Sequence, residues 1–127
     1  MRGFSSGQIQ SPNPFVPSDF RLSMPRFSSE NISTNLQWFP QLQAFAQQAG
    51  CTTNQLALAW VLAQAPHIVV IPGTRSVQHL QENVQADSVQ LPPELLAQIN
   101  AFFTPSRIAG ERYNAVNQSE VDTEQFP

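Results

Sequence analysis

The sequence predicts an α/β chain that is mostly helical, and three observations carry that reading. Ile68-Val69-Val70-Ile71 is a short, wholly apolar, β-branched run, the pattern of a strand buried on both faces. Pro72 and Gly73 end it: proline cannot donate a ladder hydrogen bond, and glycine lets the backbone turn with little steric cost. Apolar residues recur at helical spacing on either side of that run, and no second run of its kind exists. A lone strand cannot satisfy its own backbone groups if buried, so the pattern implies a chain that has lost, or expects, other strands.

From Met1 to Glu30, Pro12, Pro14, Pro17 and Pro25 stand among Ser, Asn and Asp, so turn chemistry predicts a long irregular segment. Phe4, Phe15, Phe20 and Phe27 argue against complete disorder and predict a loop that packs against something. Ser33 to Ala49 reads as a helix with Leu36, Phe39, Leu42, Phe45, Ala46 and Ala49 on one stripe, and Gly50 in the C′ place. Pro40 opposes an unbroken helix at a cost of roughly 3 kcal/mol. The helix either bends there or starts near Trp38, and the stripe favours the bend.

Thr52-Thr53-Asn54-Gln55 fits a capping box, with Thr52 as N-cap and Gln55 reaching back. The helix it opens, Thr53 to Gln64, is apolar nearly all round, as expected of one buried on more than one side. After the apolar run, Ser76 is placed to cap a helix bearing Val77, Leu80 and Val84 on one face. Pro92-Pro93-Glu94 opens another, packed through Leu95, Leu96, Ile99, Phe102 and Phe103. Beyond Thr104 a polar tail follows, with Ile108 and Tyr113 as its expected anchors and little order expected after Asn117.

Composition narrows the function. At 127 residues the chain is one domain or a piece of one, and 11 prolines with only 12% charged residues are unusual for a free-standing domain. All 6 basic residues are arginines (Arg2, Arg21, Arg26, Arg75, Arg107 and Arg112), and there is no lysine. No basic run suits a nucleic acid, no apolar run suits a membrane span, and the N-terminus lacks a secretory signal pattern. Cys51 is the single cysteine, so no internal disulfide forms and a cytoplasmic address is the default expectation. His67, His79 and Cys51 have no metal-site spacing. Cys51 at a helix start has the setting of a lowered pKa, though a small half-buried residue is the plainer reading.

The turn around Gly73 is the candidate site. A buried strand, a glycine turn and a capped helix bring free N–H groups and the positive end of a helix dipole together, a setting that stabilises an anion. Arg75 offers a planar guanidinium for bidentate phosphate contact. Glu82 and Asn83, two turns along, are suited to a purine's amino group and ring nitrogen. An ordinary strand–turn–helix corner with an exposed arginine is the plainer alternative. Arg2-Gly3 offers charge and N–H groups to an anion on weaker grounds.

Taken together, MRGFSSGQI, DFRLSMPRFSSEN, TTNQLALAWVLAQ, IVVIPGTRSVQHLQEN, LPPELLAQINAFF and AGERY resemble the C-terminal part of the aldo-keto reductases. The likeness is to the branch that reduces aldehydes and ketones with NADPH, and it runs from Met1 to about Asn114. It implies part of a (β/α)₈ TIM barrel over 1–114 and a polar tail over 115–127, mostly helical as an isolated fragment. By that likeness Ile68 to Ile71 is the eighth strand and the helix after Ser76 the eighth helix. Arg2 and Gly3 would begin the loop around the cofactor's pyrophosphate. Gly73, Thr74 and Arg75 would hold the 2′-phosphate of NADP(H), with His79 nearby, and Glu82 and Asn83 would meet the adenine.

Departures from the family pattern matter. His79 stands where many members carry Arg or Gln, which implies a weaker or more pH-sensitive phosphate grip. Gln8 replaces a common Lys, and Met1 falls where the family usually has a small residue in mid-chain, as in a truncated or mis-started gene. The family's catalytic Asp, Tyr, Lys and His all lie upstream of the matched region. With no lysine here and Tyr113 the only tyrosine, no catalytic residue is expected. The leading expectation is therefore a reductase fragment with weak or absent NADP(H) binding on its own. The alternatives are the C-terminal subunit of a split reductase, completed by an N-terminal half-barrel encoded upstream, or a non-enzymatic helical interaction module.

Overall fold

In a computed structural model of the chain, residues 3–4, 7, 9–11 and 15–121 are described. Among them there is no β-strand. Six α-helices run α1 Ser29–Leu36, α2 Phe39–Gln48, α3 Thr53–Leu62, α4 Val77–Gln85, α5 Pro93–Phe102 and α6 Ala115–Gln118, with short 3₁₀ turns between some of them. No helix is long and apolar enough to cross a membrane. The contacts divide into two compact units, one built on 39–102 and the other on 15–38 with 103–121.

The first unit is organised around α3. Thr52 Oγ1 accepts from the Gln55 N–H at 3.2 Å, and Gln55 Oε1 accepts from the Thr52 N–H at 3.0 Å, the capping box that the sequence predicts. Leu56 and Ala59 are buried, and α3 packs on α2, on α4 and on the 3₁₀ turn Ala86–Ser88. Trp60 donates its indole N–H to Asn100 Oδ1 at 2.7 Å, which ties α3 to α5. Phe45 of α2 meets Phe102 of α5 edge-on at 5.7 Å. The burial expected all round α3 is only partial: Leu58, Trp60, Val61 and Leu62 are half-buried.

Pro40 breaks the helix expected over Ser33 to Ala49 rather than bending it. α1 ends at Leu36, and α2 begins at Phe39 with Pro40 in its first turn, where the missing N–H costs nothing. The far end closes as predicted. Gly50 adopts φ 66°, its N–H reaches Gln47 O at 3.1 Å, and the Cys51 N–H reaches Ala46 O at 3.0 Å, the two bonds of a Schellman ending.

The predicted strand is the largest correction. Ile68 to Ile71 makes no ladder hydrogen bond, and Val69 and Ile71 are 82% and 94% exposed. A run that suits a buried strand has nothing here to pair with, and a strand without neighbours has no means of staying one. The apolar face of α4 fares the same way: Val77, Leu80 and Val84 are all exposed.

The second unit holds most of the proline-rich segment. It contains the 3₁₀ turns Phe20–Ser23 and Pro25–Phe27, then α1, capped by Ser28 Oγ accepting from the Asn31 N–H. Phe27 is buried and meets Phe15 edge-on at 5.6 Å, whereas Phe20 is exposed. The predicted tail anchors, Ile108 and Tyr113, are half-buried. Hydrogen bonds to the backbone between them do much of the holding. Buried Asn35 donates to Ala109 O at 3.0 Å and accepts from the Ala109 N–H at 2.9 Å. Arg26 donates its backbone N–H to Glu111 O and its Nε–H to Gly110 O, each at 3.1 Å. Gly110 has φ 84°, and a Cβ there would stand 2.6 Å from Arg26 Cα, so only glycine fits. The short α6 carries order slightly past Asn117.

Candidate functional site

The turn from Gly73 to Ser76 and the first two turns of α4 carry six of the eight candidate residues. Ser76 Oγ accepts from the His79 N–H at 3.3 Å, as its place in the sequence predicts, and Thr74 Oγ1 accepts from the Ser76 N–H at 3.1 Å. The first turn of a helix leaves N–H groups without an internal partner. Ser76 satisfies one; those of Val77 and Gln78 have no partner among the described residues.

Arg75 is exposed and makes neither an ion pair nor a hydrogen bond among the described residues. Its guanidinium, two free N–H groups and the positive end of the helix dipole therefore lie within one short stretch. The His79 side chain is exposed on the same turn. Gly73 does not use the left-handed backbone region, and a Cβ there would meet nothing within 4 Å. Nothing in the chain's own packing demands a glycine at that position.

Glu82 has partners of its own within the chain. One carboxylate oxygen, Oε1, accepts a 2.6 Å hydrogen bond from Thr52 Oγ1, and its backbone carbonyl accepts from Gln55 Nε2 at 3.2 Å. Gln55 Nε2 also reaches Gln85 Oε1 at 3.2 Å. The carboxylate thus sits at the positive end of α3, a favourable place for an anion. Its other oxygen and the side-chain amide of Asn83 have no partner among the described residues. Both residues are half-buried.

The remaining two candidates stand apart. Gly3 lies in a turn with φ 94°, beside buried Phe4, and Arg2 falls outside the described residues. Cys51 carries no activated thiol: burial pushes its pKa up. A groove of about 260 Å³ opens elsewhere in the first unit, lined by Ala59, Leu62, Asp87 and Leu91 among others, and none of the described candidate residues borders it.

Sequence reasoning missed the tie from Thr52 and Gln55 to Glu82. The capping box accounted for Gln55 Oε1, which left its amide N–H groups in search of acceptors near the start of α3. That was the available signal. Nothing in the spacing, however, specifies a glutamate 30 residues later as the partner of Thr52.

The chain matches the aldo/keto reductase family over residues 2–103, and it belongs to that family. Among curated proteins it is 37% identical over 126 residues to an aldo-keto reductase, str7, of Strobilurus tenacellus. It is 36% identical over 128 aligned positions to the aldo-keto reductase yakc [NADP(+)] of Schizosaccharomyces pombe. Each match covers 99% of this chain and 38% of the relative, so the chain spans little more than a third of the length of those proteins. No solved structure matches it significantly.

Proposed function

We propose that this chain is the cofactor-anchoring C-terminal portion of an NADP(H)-dependent aldo/keto reductase, an oxidoreductase acting on aldehydes and ketones. The observation that carries the reading is Arg75, exposed and unpartnered among the described residues beside the free N–H groups that open α4. An anionic ligand satisfies all of these donors at once. The name of the fission-yeast relative supplies NADP(+) as that ligand's class.

The residues present fit such a group. Gly73, whose Cβ the packing does not exclude, leaves room for close approach of a phosphate; Thr74, Arg75 and His79 are exposed polar residues of the same turn and the first turn of α4. Arg75 grips the 2′-phosphate. The free oxygen of Glu82 and the amide of Asn83 face the adenine edge, and Arg2 with Gly3 serves the pyrophosphate. When bound, the reduced nicotinamide supplies a hydride to a carbonyl carbon. This chain's own residues bind and orient; none is assigned the proton transfer, because the chain has no lysine and its only tyrosine is Tyr113.

The missing strands and catalytic residues come from an N-terminal half-barrel, joined to this portion or encoded upstream as a separate partner. Exposed Val69, Ile71, Val77, Leu80 and Val84 support that reading, because each is an apolar side chain without a cover. A titration of the chain alone with NADPH is expected to show no binding tighter than millimolar. Co-expression with such a half-barrel is expected to give carbonyl-dependent NADPH oxidation, weakened by Arg75→Ala chiefly through the KM for NADPH. An active pair indifferent to Arg75→Ala would remove the phosphate assignment. A cooperatively melting monomer that never engages a half-barrel would instead favour a helical interaction module.

A further inference from the structure

We infer that Thr52 and Gln55, on α3, are positioning residues for adenine recognition by Glu82 on α4. The inference rests on the cofactor reading above and deepens it. A glutamate on a helix surface ordinarily samples several rotamers, and a ligand that needs one of them must bear the entropy of selecting it. Glu82 is already held. Thr52 Oγ1 donates to Oε1 at 2.6 Å, and the same oxygen accepts the cap bond from the Gln55 N–H at 3.2 Å, so the hydroxyl is fixed from both sides. Gln55, 9% exposed, donates Nε2 to the Glu82 carbonyl at 3.2 Å and to Gln85 Oε1 at 3.2 Å. The backbone and one carboxylate oxygen are thus anchored, and the second oxygen is left as an acceptor for an exocyclic amino group. Asn83, beside it, presents an unpartnered amide among the described residues.

The test titrates the full chain, isotope-labelled for NMR, with NADPH and with its deamino analogue. That analogue carries hypoxanthine and places an acceptor where adenine has a donor. Amide shifts over Gly73–Asn83 are expected to show a preference for NADPH of about tenfold, the scale of one hydrogen bond to a charged group. Gln55→Glu keeps the acceptor that completes the capping box but loses the amide donor; it is expected to reduce the preference to about twofold, with the shifts at Thr74–Ser76 retained. Thr52→Asp keeps a cap but cannot donate to Glu82, and is expected to do the same, whereas Thr52→Ser preserves the wild-type preference. Circular dichroism on each variant confirms that α3 is intact, and Gln55→Glu carries the test if Thr52→Asp does not fold. Folded variants that bind with the full wild-type preference would overturn the positioning role alone, as would a wild type that binds both nucleotides equally. A wild type in which neither nucleotide, raised to its solubility limit, perturbs Gly73–Asn83 would overturn the cofactor reading beneath it.

Discussion

Two helices of the first unit begin in nearly the same way and end up in opposite conditions. α3 enters through Thr52 and α4 through Ser76, each hydroxyl accepting from the backbone N–H three residues on. At α3 the polar side chains of the cap find partners on α4: the Thr52 hydroxyl takes Glu82, and the Gln55 amide takes Glu82 and Gln85, while the Thr53 and Asn54 N–H groups have none among the described residues. At α4 the cap bond is made and the rest stays open, with Arg75 and two N–H groups unpartnered among the described residues. The local cap chemistry is shared. Both helices leave two first-turn N–H groups open, so what separates the structural corner from the candidate binding corner is the side chains: those of Thr52 and Gln55 are consumed by α4, whereas that of Arg75 is not consumed by any described residue.

The widest difference between the two helices lies in their apolar faces. Leu56 is 1% exposed, whereas Leu80 is 52% exposed. Leu56→Ala is expected to cost about 2–5 kcal/mol, through lost burial and the cavity left behind. Leu80→Ala is expected to stay within about 0.5 kcal/mol, as for other surface substitutions. Urea denaturation followed by circular dichroism measures both. Comparable losses would mean that something covers α4 in solution and that the contrast between the two faces does not hold.

The same contrast marks how far the sequence alone could be read. Caps, the Gly50 ending and the helix opened at Pro93 are local signals, written in adjacent residues, and they appear where the pattern puts them. Ile68 to Ile71 misleads because β-branched residues register only a preference for a pleated sheet. The sheet itself requires neighbours, and none of the described residues supplies them. Pro40 was legible as a conflict but not as a break, because its resolution depended on Ser28 capping a separate helix, α1, eight residues before the stripe begins at Leu36. At the site, the Ser76 cap was legible because it acts locally. The double engagement of Glu82, like the hold of Asn35 on Ala109 across 74 residues, was not, because no periodicity links residues that meet only after folding.

The cap bonds themselves give a finer test of the comparison. Thr52→Ala removes a cap acceptor and also leaves a carboxylate oxygen of Glu82 without its donor, so about 2 kcal/mol of destabilisation is expected. Ser76→Ala removes one cap bond at a largely exposed corner, and a cost of about 1 kcal/mol or less is expected. Equal shifts in the urea midpoint would show that the 2.6 Å bond to Glu82 adds nothing beyond the cap.

Both of those caps are hydroxyls and do not titrate, and a third cap, in the second unit, sharpens the point because it does. Asp19 Oδ1 accepts from the Arg21 N–H at 2.9 Å at the start of the 3₁₀ turn Phe20–Ser23, and Oδ2 pairs with the Arg21 guanidinium at 2.7 Å. That guanidinium also lies over the Phe15 ring, 4.2 Å from its centre. The side-chain hydrogen bond from Arg21, reinforced by its backbone N–H, brings the Asp19 pKa down from 3.8 to about 2. A depressed carboxylate pKa stabilises the folded state fully above the unfolded value, and that contribution fades as the pH falls from 3.8 through about 2. Asp19→Asn keeps a cap acceptor but loses the ion pair, so the acid slope of the melting temperature is expected to be shallower in the variant over that window and unchanged above it. The effect is the smallest of the set and shrinks in high salt, because the pair lies near the surface. Ser76→Ala, measured over the same window, is expected to shift the melting temperature without changing that slope, which separates a cap that holds by charge from one that holds by a neutral hydrogen bond.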